Sequence, residues 1–406
     1  MSTAIEFKSV DILFSRGEGR DGRKSIREAL ALLDSGGTRA QIADKFGVVV
    51  GVAGASLAVE SGEISVLMGL SGSGKSTLLR AANGLNRVTR GSVLVHAGDA
   101  PIDVANCDAL RLRGLRRARI AMVFQQFGLL PWRTVRDNVG FGLELRGERP
   151  AARRRIVDEK LELVGLSQWA ERHVSELSGG MQQRVGLARA FATEADILLM
   201  DEPFSALDPL IRGKLQDELL ELQSRVKKTI LFVSHDLDEA LRLGDRITIM
   251  QNGRIVQTGT ALDIVMAPAD DYVAEFVQHM NPLDVLTGGM IMRARADFEG
   301  DGDGLWLDAG RRYRLRLDAA DRALALQADA RPLELVTVPA EGVMPAGAGG
   351  APLAPASLSL HEIIRLRKLS GHPVLLEAEG RVIGVCGDAE IITALAAAGR
   401  DNRTPR

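Results

Sequence analysis

Short apolar runs separated by longer amphipathic stretches give this chain its most regular pattern. Runs of mostly apolar residues occur at, among other places, 64–68, 120–124, 196–200, 229–233 and 246–250. Runs of this length, bounded by polar or glycine-containing segments, are typical of strands buried in a sheet. Because helix-like stretches alternate with them from 52 to about 270, the pattern predicts a layered α/β fold.

The N-terminal part of the chain has a different pattern. Residues 1–14 alternate between apolar and polar positions, which predicts an edge strand, and 15–24 are predicted to form a charged loop. A short helix follows and is expected to end at Gly36-Gly37. Its apolar residues have helical spacing: Ile26, Ala29, Leu30 and Leu33. We interpret residues from about 17 to 50 as a helical insertion.

A second short helix is predicted to begin at the capping box Thr38–Gln41 and to continue through Phe46. The segment 39–48 resembles the first helix of a helix-turn-helix. A DNA-binding unit of that kind needs a recognition helix next, but residues 48–52 predict a strand. An amphipathic insertion that packs on the main domain is therefore the favoured interpretation.

Composition limits the function classes. The chain has 406 residues, enough for two or three domains, and a formal charge of −2, so its net charge gives no case for nucleic-acid binding. The arginine-rich stretch 108–119 is interpreted as a solvated helix face. Cys107 and Cys386 are far apart in sequence, which favours two reduced thiols over a disulfide framework or a metal site.

The chain also lacks the sequence signs of membrane insertion. Its N-terminus has neither the basic nor the apolar region of a signal peptide. No apolar run approaches the roughly 18–20 residues that a membrane span requires. If the protein works at a membrane, we expect it to do so through a partner.

The segment Gly69–Thr77 carries the strongest chemical signal. It follows the strand-like run 64–68 and precedes a helical start at 78–82. Strand, glycine loop, Lys-Ser and helix form the context of a phosphate-binding loop, whose backbone N–H groups make an anion nest. We expect Lys75 to reach the β- and γ-phosphates of a nucleoside triphosphate and Ser76 to ligate Mg²⁺. The predicted nucleotide contacts in this loop are Gly69, Ser71, Gly72, Ser73, Gly74, Lys75, Ser76 and Thr77.

Two acidic residues follow another strand-like run. Asp201 and Glu202 come directly after four apolar residues, 197–200, so they are expected at the carboxyl end of a central strand, where ligands bind in α/β sheets. Asp201 is predicted to hold Mg²⁺ together with Ser76. Glu202 is predicted to orient or deprotonate the attacking water, which indicates an ATPase rather than a nucleotide-binding module.

A second anion-accepting helix start is predicted at Ser178, Gly179 and Gly180, within Leu177–Arg184. This segment resembles the signature motif of ABC (ATP-binding cassette) ATPases, in which two cassettes enclose two ATP molecules head to tail. The resemblance covers about residues 5–280. It implies an α/β fold: a RecA-like P-loop core with an antiparallel β subdomain and a helical subdomain at about 126–185. It also implies ATP and Mg²⁺ as cofactors and a second copy of the chain as partner.

Further residues match the motifs of this family in order. The resemblance implies that Gln125 senses Mg²⁺ and contacts the membrane partner, that Asp208 belongs to the loop that crosses the dimer, and that His235 contacts the γ-phosphate. Phe14 matches the aromatic residue that stacks on adenine, with Phe7 as the alternative. Gln125 is thereby also a metal-site candidate.

The insertion at 17–50 and the stretches 125–132, 205–219 and 273–283 resemble the ATP-binding subunits of quaternary-amine importers, and most closely the choline branch. The alternative is an importer of glycine betaine or proline betaine. The resemblance implies separate permease subunits, indirect contact with a substrate-binding protein, no nucleic-acid partner, and a peripheral location on the cytoplasmic face of the inner membrane. A soluble ABC ATPase of translation or DNA repair, a small-molecule kinase or GTPase, and an exporter are the less favoured classes.

The C-terminal part, 281–406, is predicted to be a small α+β accessory domain. Residues 339–357 are rich in Pro, Gly and Ala and predict a linker or long loop. Residues 358–398 predict helix, strand, turn, strand and helix, and resemble one CBS regulatory module. Asp388 matches a ribose-contacting position there, but Gly387 replaces the usual hydroxyl residue. We therefore favour a degenerate, structural or dimerising module.

Overall fold

The computed structural model describes residues 2–17, 19–96, 100–278, 283, 286–300, 304–339, 342–344 and 349–398. It divides into two compact units, Met1–Thr260 and Ala261–Arg406. The predicted boundary between 280 and 281 lies outside the described residues. No helix in the described segments is long and apolar enough to cross a membrane.

The first unit combines two sheets with helices. Its strands are β1 Thr3–Ser15, β2 Val48–Glu60, β3 Ile64–Met68, β4 Arg90–Val95, β5 Ile102–Asp103, β6 Ile120–Val123, β7 Ile197–Asp201, β8 Thr229–Val233, β9 Arg246–Gln251 and β10 Arg254–Gly259. Its helices are α1 Gly19–Asp34, α2 Arg39–Phe46, α3 Lys75–Ala81, α4 Ala109–Ala118, α5 Val135–Arg146, α6 Pro150–Leu163, α7 Gly179–Ala192, α8 Pro209–Val226 and α9 Leu237–Leu243. The strand candidates of the sequence analysis correspond to β3, β6, β7, β8 and β9.

The larger sheet has the order β10-β9-β3-β8-β7-β6, and all its neighbours pair in parallel except β10, which is antiparallel to β9. Strands β3, β7 and β8 are buried along their whole length, which explains why their residues are mostly apolar. Because these strands are parallel, their carboxyl ends meet at one edge of the sheet.

The smaller sheet is antiparallel, with the order β2-β1-β4-β5. The prediction that β1 is an edge strand is wrong, because β1 pairs with β2 on one side and β4 on the other. Alternation of apolar and polar residues indicates that one face of a strand is buried, but it does not indicate how many strands pair with it. Side chains of both sheets and of α3 and α4 share one core cluster.

The insertion is a pair of helices with a small core of its own. Helix α1 begins at Gly19, so the loop predicted for 15–24 is wrong from that residue onward. The capping box at Thr38 and Gln41 is confirmed, and β2 stands where a recognition helix would have to follow α2. Buried residues of the insertion and the neighbouring strands form its core: Leu13, Ala29, Leu33, Ile42, Val48, Val50 and Ala53.

The second unit has helices α10 Ala261–Met266, α11 Asp271–Gln278, α12 Gly288–Ile291, α13 Leu360–Ser370 and α14 Asp388–Ala398. Its strands are β11 Arg293–Ala294, β12 Glu299–Gly300, β13 Leu305–Trp306, β14 Tyr313–Leu317, β15 Ala323–Ala328, β16 Arg331–Leu333, β17 Leu335–Thr337, β18 Ala351–Pro355, β19 Val374–Ala378 and β20 Arg381–Cys386. They form two sheets of five strands, β12-β13-β14-β15-β16 and β11-β20-β19-β18-β17.

Two predictions from the sequence concern this unit. The order helix, strand, strand, helix over 358–398 is confirmed by α13, β19, β20 and α14. The linker predicted for 339–357 is wrong at its end, because β18 lies between β17 and β19 and pairs in parallel with both. Alanine and proline make a weak strand signal, but Ala351 and Ala354 are fully buried there, where small side chains pack well.

Candidate active site

The loop between β3 and α3 has the conformation expected of a phosphate-binding loop. Gly69 and Gly74 have φ angles of 138° and 104°, which side chains with a Cβ rarely adopt. A Cβ on Gly69 would lie 2.1 Å from the Met250 carbonyl oxygen, and one on Gly74 would lie 2.4 Å from that of Gly51. Both positions therefore require glycine.

The polar side chains of this loop are arranged around Lys75, which opens α3 and is buried. Its Nζ donates to the carbonyl oxygens of Gly69 at 2.7 Å and Leu70 at 3.0 Å. Burial lowers the pKa of Lys75, and the carboxylates of Glu202 and Asp201 oppose that shift. Ser73 Oγ is buried and has no hydrogen-bond partner among the described residues, so the loop offers a free hydroxyl. The other predicted contacts are placed in the loop, Ser71 and Gly72, or in the first turn of α3, Ser76 and Thr77.

Asp201 is the fully buried last residue of β7. Its Oδ1 accepts a hydrogen bond from Ser76 Oγ at 2.6 Å. Its Oδ2 accepts two from Arg80, from Nε at 3.0 Å and Nη2 at 2.8 Å. The structure therefore brings together two of the three predicted metal ligands, Ser76 and Asp201, and adds a guanidinium group.

Glu202 lies one residue beyond β7 and is the centre of a second cluster. Gln125 Nε2 donates to Glu202 Oε2 at 3.2 Å, and His235 Nδ1 is 3.4 Å from the same oxygen. Gln125 follows β6 and His235 follows β8, the neighbours of β7 in the parallel sheet. The shared sheet edge thus brings three predicted residues into contact although 110 positions of sequence separate the outer two.

Phe14 lies near the end of β1 with 42% of its surface exposed. A Cβ on Gly51 would lie 2.9 Å from Phe14 Cε2 and 3.0 Å from Thr77 Cγ2. Phe14 and the first turn of α3 therefore flank the same point on β2. Phe7, the alternative, is 1% exposed in the core and presents no free ring face.

Ser178 and Asp208 begin two other helices. Ser178 Oγ accepts from the Met181 N–H at 3.4 Å at the start of α7, where Gly179 and Gly180 form the first turn. Asp208 Oδ1 accepts from the Ile211 N–H at 3.0 Å at the start of α8. Within the described chain neither residue is a hydrogen-bond partner of Lys75 or Asp201.

Three polar residues of the site were not predicted. Arg80 is four positions after Ser76, on the same face of α3, a spacing that could have suggested its role. Arg39, at the start of α2, donates to the Gly72 carbonyl oxygen at 3.2 Å. Gln183 donates to the Glu202 carbonyl oxygen at 3.1 Å. The last two contacts depend on how separate elements pack, so no local pattern indicates them.

The donor set fits a magnesium ion. Mg²⁺ prefers oxygen ligands and is usually held by one or two carboxylates together with substrate phosphates. Ser76 and Asp201 supply a hydroxyl and a carboxylate oxygen in hydrogen-bond contact, and Gln125 carries an amide oxygen beside the second carboxylate.

Comparison with known proteins identifies the family. The model of the family described as "ABC transporter" matches residues 52–205. The ATP-binding protein of the glycine betaine/proline betaine transport system of Escherichia coli K12 is 48% identical over 293 residues, 72% of this chain and 70% of the relative. The chain belongs to the ATP-binding subunits of ABC transporters. The predicted family, which includes the betaine transport ATPases, is confirmed, and so is the ATPase class.

Other relatives of this ABC subunit extend the comparison. The ATP-binding protein of a trimethylamine N-oxide transport system from Ruegeria pomeroyi is 50% identical over 254 residues, 63% of this chain and 74% of the relative. An ATP-binding cassette solved as a dimer in a post-hydrolysis state, with ADP and Pi bound, aligns with a TM-score of 0.53 and 29% identity. The alignment covers 63% of this chain and 98% of that structure. The predicted ABC cassette fold is thereby confirmed.

Proposed function

We propose that this chain is the ATP-hydrolysing subunit of an ABC importer and that Glu202 is its catalytic base. The observation that carries the proposal is the convergence of Gln125 and His235 on the Glu202 carboxylate, next to the phosphate-binding loop. In this arrangement Glu202 takes a proton from the attacking water, while Gln125 and His235 hold its carboxylate in place.

Lys75 is assigned to the β- and γ-phosphates. A bound triphosphate would replace the two carbonyl oxygens that Lys75 now contacts, and charged phosphate oxygens are the stronger acceptors. The loop N–H groups and the Ser73 hydroxyl supply further donors. Ser76 and Asp201, with Gln125, would hold Mg²⁺, which neutralises charge on the phosphate oxygens. Phe14 is assigned to the adenine ring, because its exposed ring stands beside the first turn of α3.

Ser178, Gly179, Gly180 and Asp208 are assigned to a second copy of the chain. The N-terminus of α7 offers free N–H groups for an anion, and a nucleotide on the partner subunit would be that anion. The related cassette solved as a dimer with ADP and Pi supports this assignment. ATP would thus join two chains head to tail, and hydrolysis would separate them.

The membrane partners follow from the family. The relatives are ATP-binding proteins of transport systems, so we assign the chain to the cytoplasmic face of the membrane and its helical subdomain, about 126–185, to the contact with separate permease subunits. A substrate-binding protein would act on the other side. The CBS-like assignment of 358–398 stays a prediction.

For the cargo, we propose a small methylated amine of the betaine type. The names of the relatives include glycine betaine, proline betaine and trimethylamine N-oxide, and these support the betaine alternative better than the choline prediction. None of the site residues above would touch the cargo, so the cargo assignment rests on family likeness alone.

The test is uptake of labelled glycine betaine, trimethylamine N-oxide and choline by host cells that carry wild type or Glu202→Gln as the only copy. We expect the variant to lose betaine uptake, and the purified variant to lose about 10²–10⁴-fold in ATP turnover while forming an ATP-dependent dimer. Loss of choline uptake alone would overturn the betaine assignment. Normal turnover by Glu202→Gln would overturn the catalytic assignment.

A further inference from the structure

Gln183 ties the helix that carries the signature motif to the turn that carries Glu202. It lies in the second turn of α7 and is 1% exposed. Its Nε2 donates to the Glu202 carbonyl oxygen at 3.1 Å, and its Oε1 accepts from the Ala206 N–H at 3.1 Å. Both polar ends of one buried side chain are therefore bonded, one to each end of the turn 202–206.

The turn needs such support. Glu202 has a φ of 50°, a left-handed conformation that non-glycine residues adopt only where the surrounding structure holds them. Within the strand layer its N–H donates to the Val233 carbonyl oxygen at 3.1 Å, and within the turn Ser205 Oγ donates to its carbonyl oxygen at 3.0 Å. Gln183 adds a further contact to this carbonyl oxygen, and this contact comes from helix α7.

The start of α7 also packs closely on the same turn. A Cβ on Gly180 would lie 3.2 Å from the Ala206 carbonyl oxygen, so little space separates the helix from the turn. Ser178 is two residues before Gly180, at the helix end assigned above to the partner's nucleotide. A displacement of this helix end therefore reaches the turn through backbone packing and through Gln183.

We propose that Gln183 is a positioning residue that sets the orientation of Glu202 according to the position of α7. The proposal rests on the proposed function: in a head-to-tail dimer, Ser178 faces the nucleotide of the partner, while Glu202 serves the nucleotide of its own chain. Gln183 then links the two sites of the dimer, because nucleotide held against Ser178 fixes α7 and α7 fixes Glu202. Gln183 itself touches neither nucleotide.

The first test replaces the Gln183 side chain by an apolar one of similar length, which can neither donate nor accept these hydrogen bonds. Gln183→Met removes both bonds, and we expect kcat for ATP hydrolysis to fall about 10–100-fold, as for a misplaced catalytic group, with KM for ATP within about twofold of wild type. The control is Gln223→Met, which removes a glutamine that donates to the Gly62 carbonyl oxygen at 2.6 Å, away from the site. We expect that variant to keep its kcat.

The second test separates positioning from a loss of structure. In Gln183→Glu an ionised carboxylate can accept from the Ala206 N–H but cannot donate to the Glu202 carbonyl oxygen. Burial raises the pKa of a carboxyl group at this position, so acidification restores the donor as an O–H. We expect the kcat of this variant, relative to wild type, to recover as the pH is lowered, whereas that of Gln183→Met stays low at every pH.

Wild-type kcat in Gln183→Met would overturn the proposal, and so would equal, pH-independent losses in both variants at position 183. Glu202→Gln, measured in parallel, keeps the two levels of inference apart. If it loses turnover while Gln183→Met does not, the inference about Gln183 fails and the catalytic assignment stands. If Glu202→Gln retains turnover, the proposed function itself fails.

Discussion

Glu239 is a buried carboxyl group directly behind the His235 segment. Its Oε2 accepts from Ser234 Oγ at 2.5 Å and its Oε1 accepts from Gln216 Nε2 at 3.0 Å. Burial raises the pKa of Glu239, and the Ser234 and Gln216 bonds only partly oppose this shift. The folded protein therefore holds a proton on this group more tightly than the unfolded chain does.

The sign of the effect on stability follows from linkage. Because the folded-state pKa is raised, the contribution of Glu239 is fully present below the unfolded pKa and is lost as pH rises through the folded pKa. We expect Glu239→Gln to gain stability relative to wild type as pH increases across that window. Thermal unfolding at several pH values checks this, since about 1 kcal/mol shifts Tm by roughly 2–4 °C in a domain of this size. A constant difference between the two proteins at all pH values would contradict it.

The same scale shows what can be predicted from single residues. Lys75, Ser76 and Asp201 belong to local patterns whose chemistry fixes their place, so the sequence analysis predicted their proximity. Gln183 carries no such pattern, because its contact with Glu202 arises only when α7 packs on the turn after β7. For Arg80 the one local signal is its helical spacing from Ser76, and its contact with Asp201 also needs α3 to pack on the sheet.

At the scale of elements, Arg90 fastens the insertion to the smaller sheet. Its Nε donates to Asp11 Oδ2 at 2.6 Å, and its Nη1 and Nη2 donate to the carboxylate of Asp34 at 2.9 and 2.7 Å. Asp11 lies on β1 with its side chain 2% exposed, whereas that of Asp34, at the end of α1, is 54% exposed. One arginine therefore joins a buried carboxylate to an exposed one.

The two ion pairs should differ in their contribution to stability. We expect Arg90→Leu to lower the free energy of unfolding by about 2–3 kcal/mol, because it leaves the Asp11 carboxylate buried without its cation. Asp34→Asn removes only the exposed pair and should cost much less than Arg90→Leu, because solvent screens exposed charges. Urea unfolding of both variants checks this order. Equal small losses would mean that the buried charge of Asp11 is compensated by other groups.

The bounds of strands and helices were predicted well where the apolar pattern is clear. The position of a strand within its sheet was predicted poorly, because it depends on which strands pair. The buried strands β3 and β8 have the predicted bounds, because a mostly apolar run of this length is stable where both faces of a sheet are covered. The position of β1 within its sheet was missed, since β4 comes some 75 residues later and nothing in β1 indicates a second neighbour. β18 was missed because alanine and proline, which make up most of it, give only a weak strand signal in a sequence.

At the scale of the whole molecule, the proposed function assigns residues of one chain to two different nucleotide sites. Lys75 and Glu202 are assigned to the nucleotide of their own chain. Ser178 caps α7, and among the described residues it is a hydrogen-bond partner of neither of them. Sequence alone could suggest this division only through the resemblance to ABC ATPases, because no residue pattern states which contacts lie between chains. The two-chain arrangement therefore needs an experiment in which activity requires two different chains in one dimer.

Complementation between two inactive variants is that test. Lys75→Ala removes the lysine that we assign to the β- and γ-phosphates. Ser178→Asp places a negative charge where the partner's phosphate would bind, while still capping α7, since Asp is a favoured N-cap residue. Each variant alone should lose most ATP turnover. In a head-to-tail dimer of the two, one site combines the intact Lys75 of one chain with the intact Ser178 of the other. We therefore expect mixing them to restore up to about half of the wild-type rate per mixed dimer.

The matched control places both substitutions in one chain and mixes it with wild type. In that dimer each site contains one substituted residue, so the mixed dimers should have no intact site although the same two changes are present. Turnover measured at fixed total protein, as the mixing ratio varies, distinguishes the two cases. Recovery in the first mixture and none beyond the wild-type homodimers in the second supports sites shared between chains. If neither mixture of variants exceeds the separate proteins, Ser178 and Lys75 do not act on the same nucleotide across a dimer.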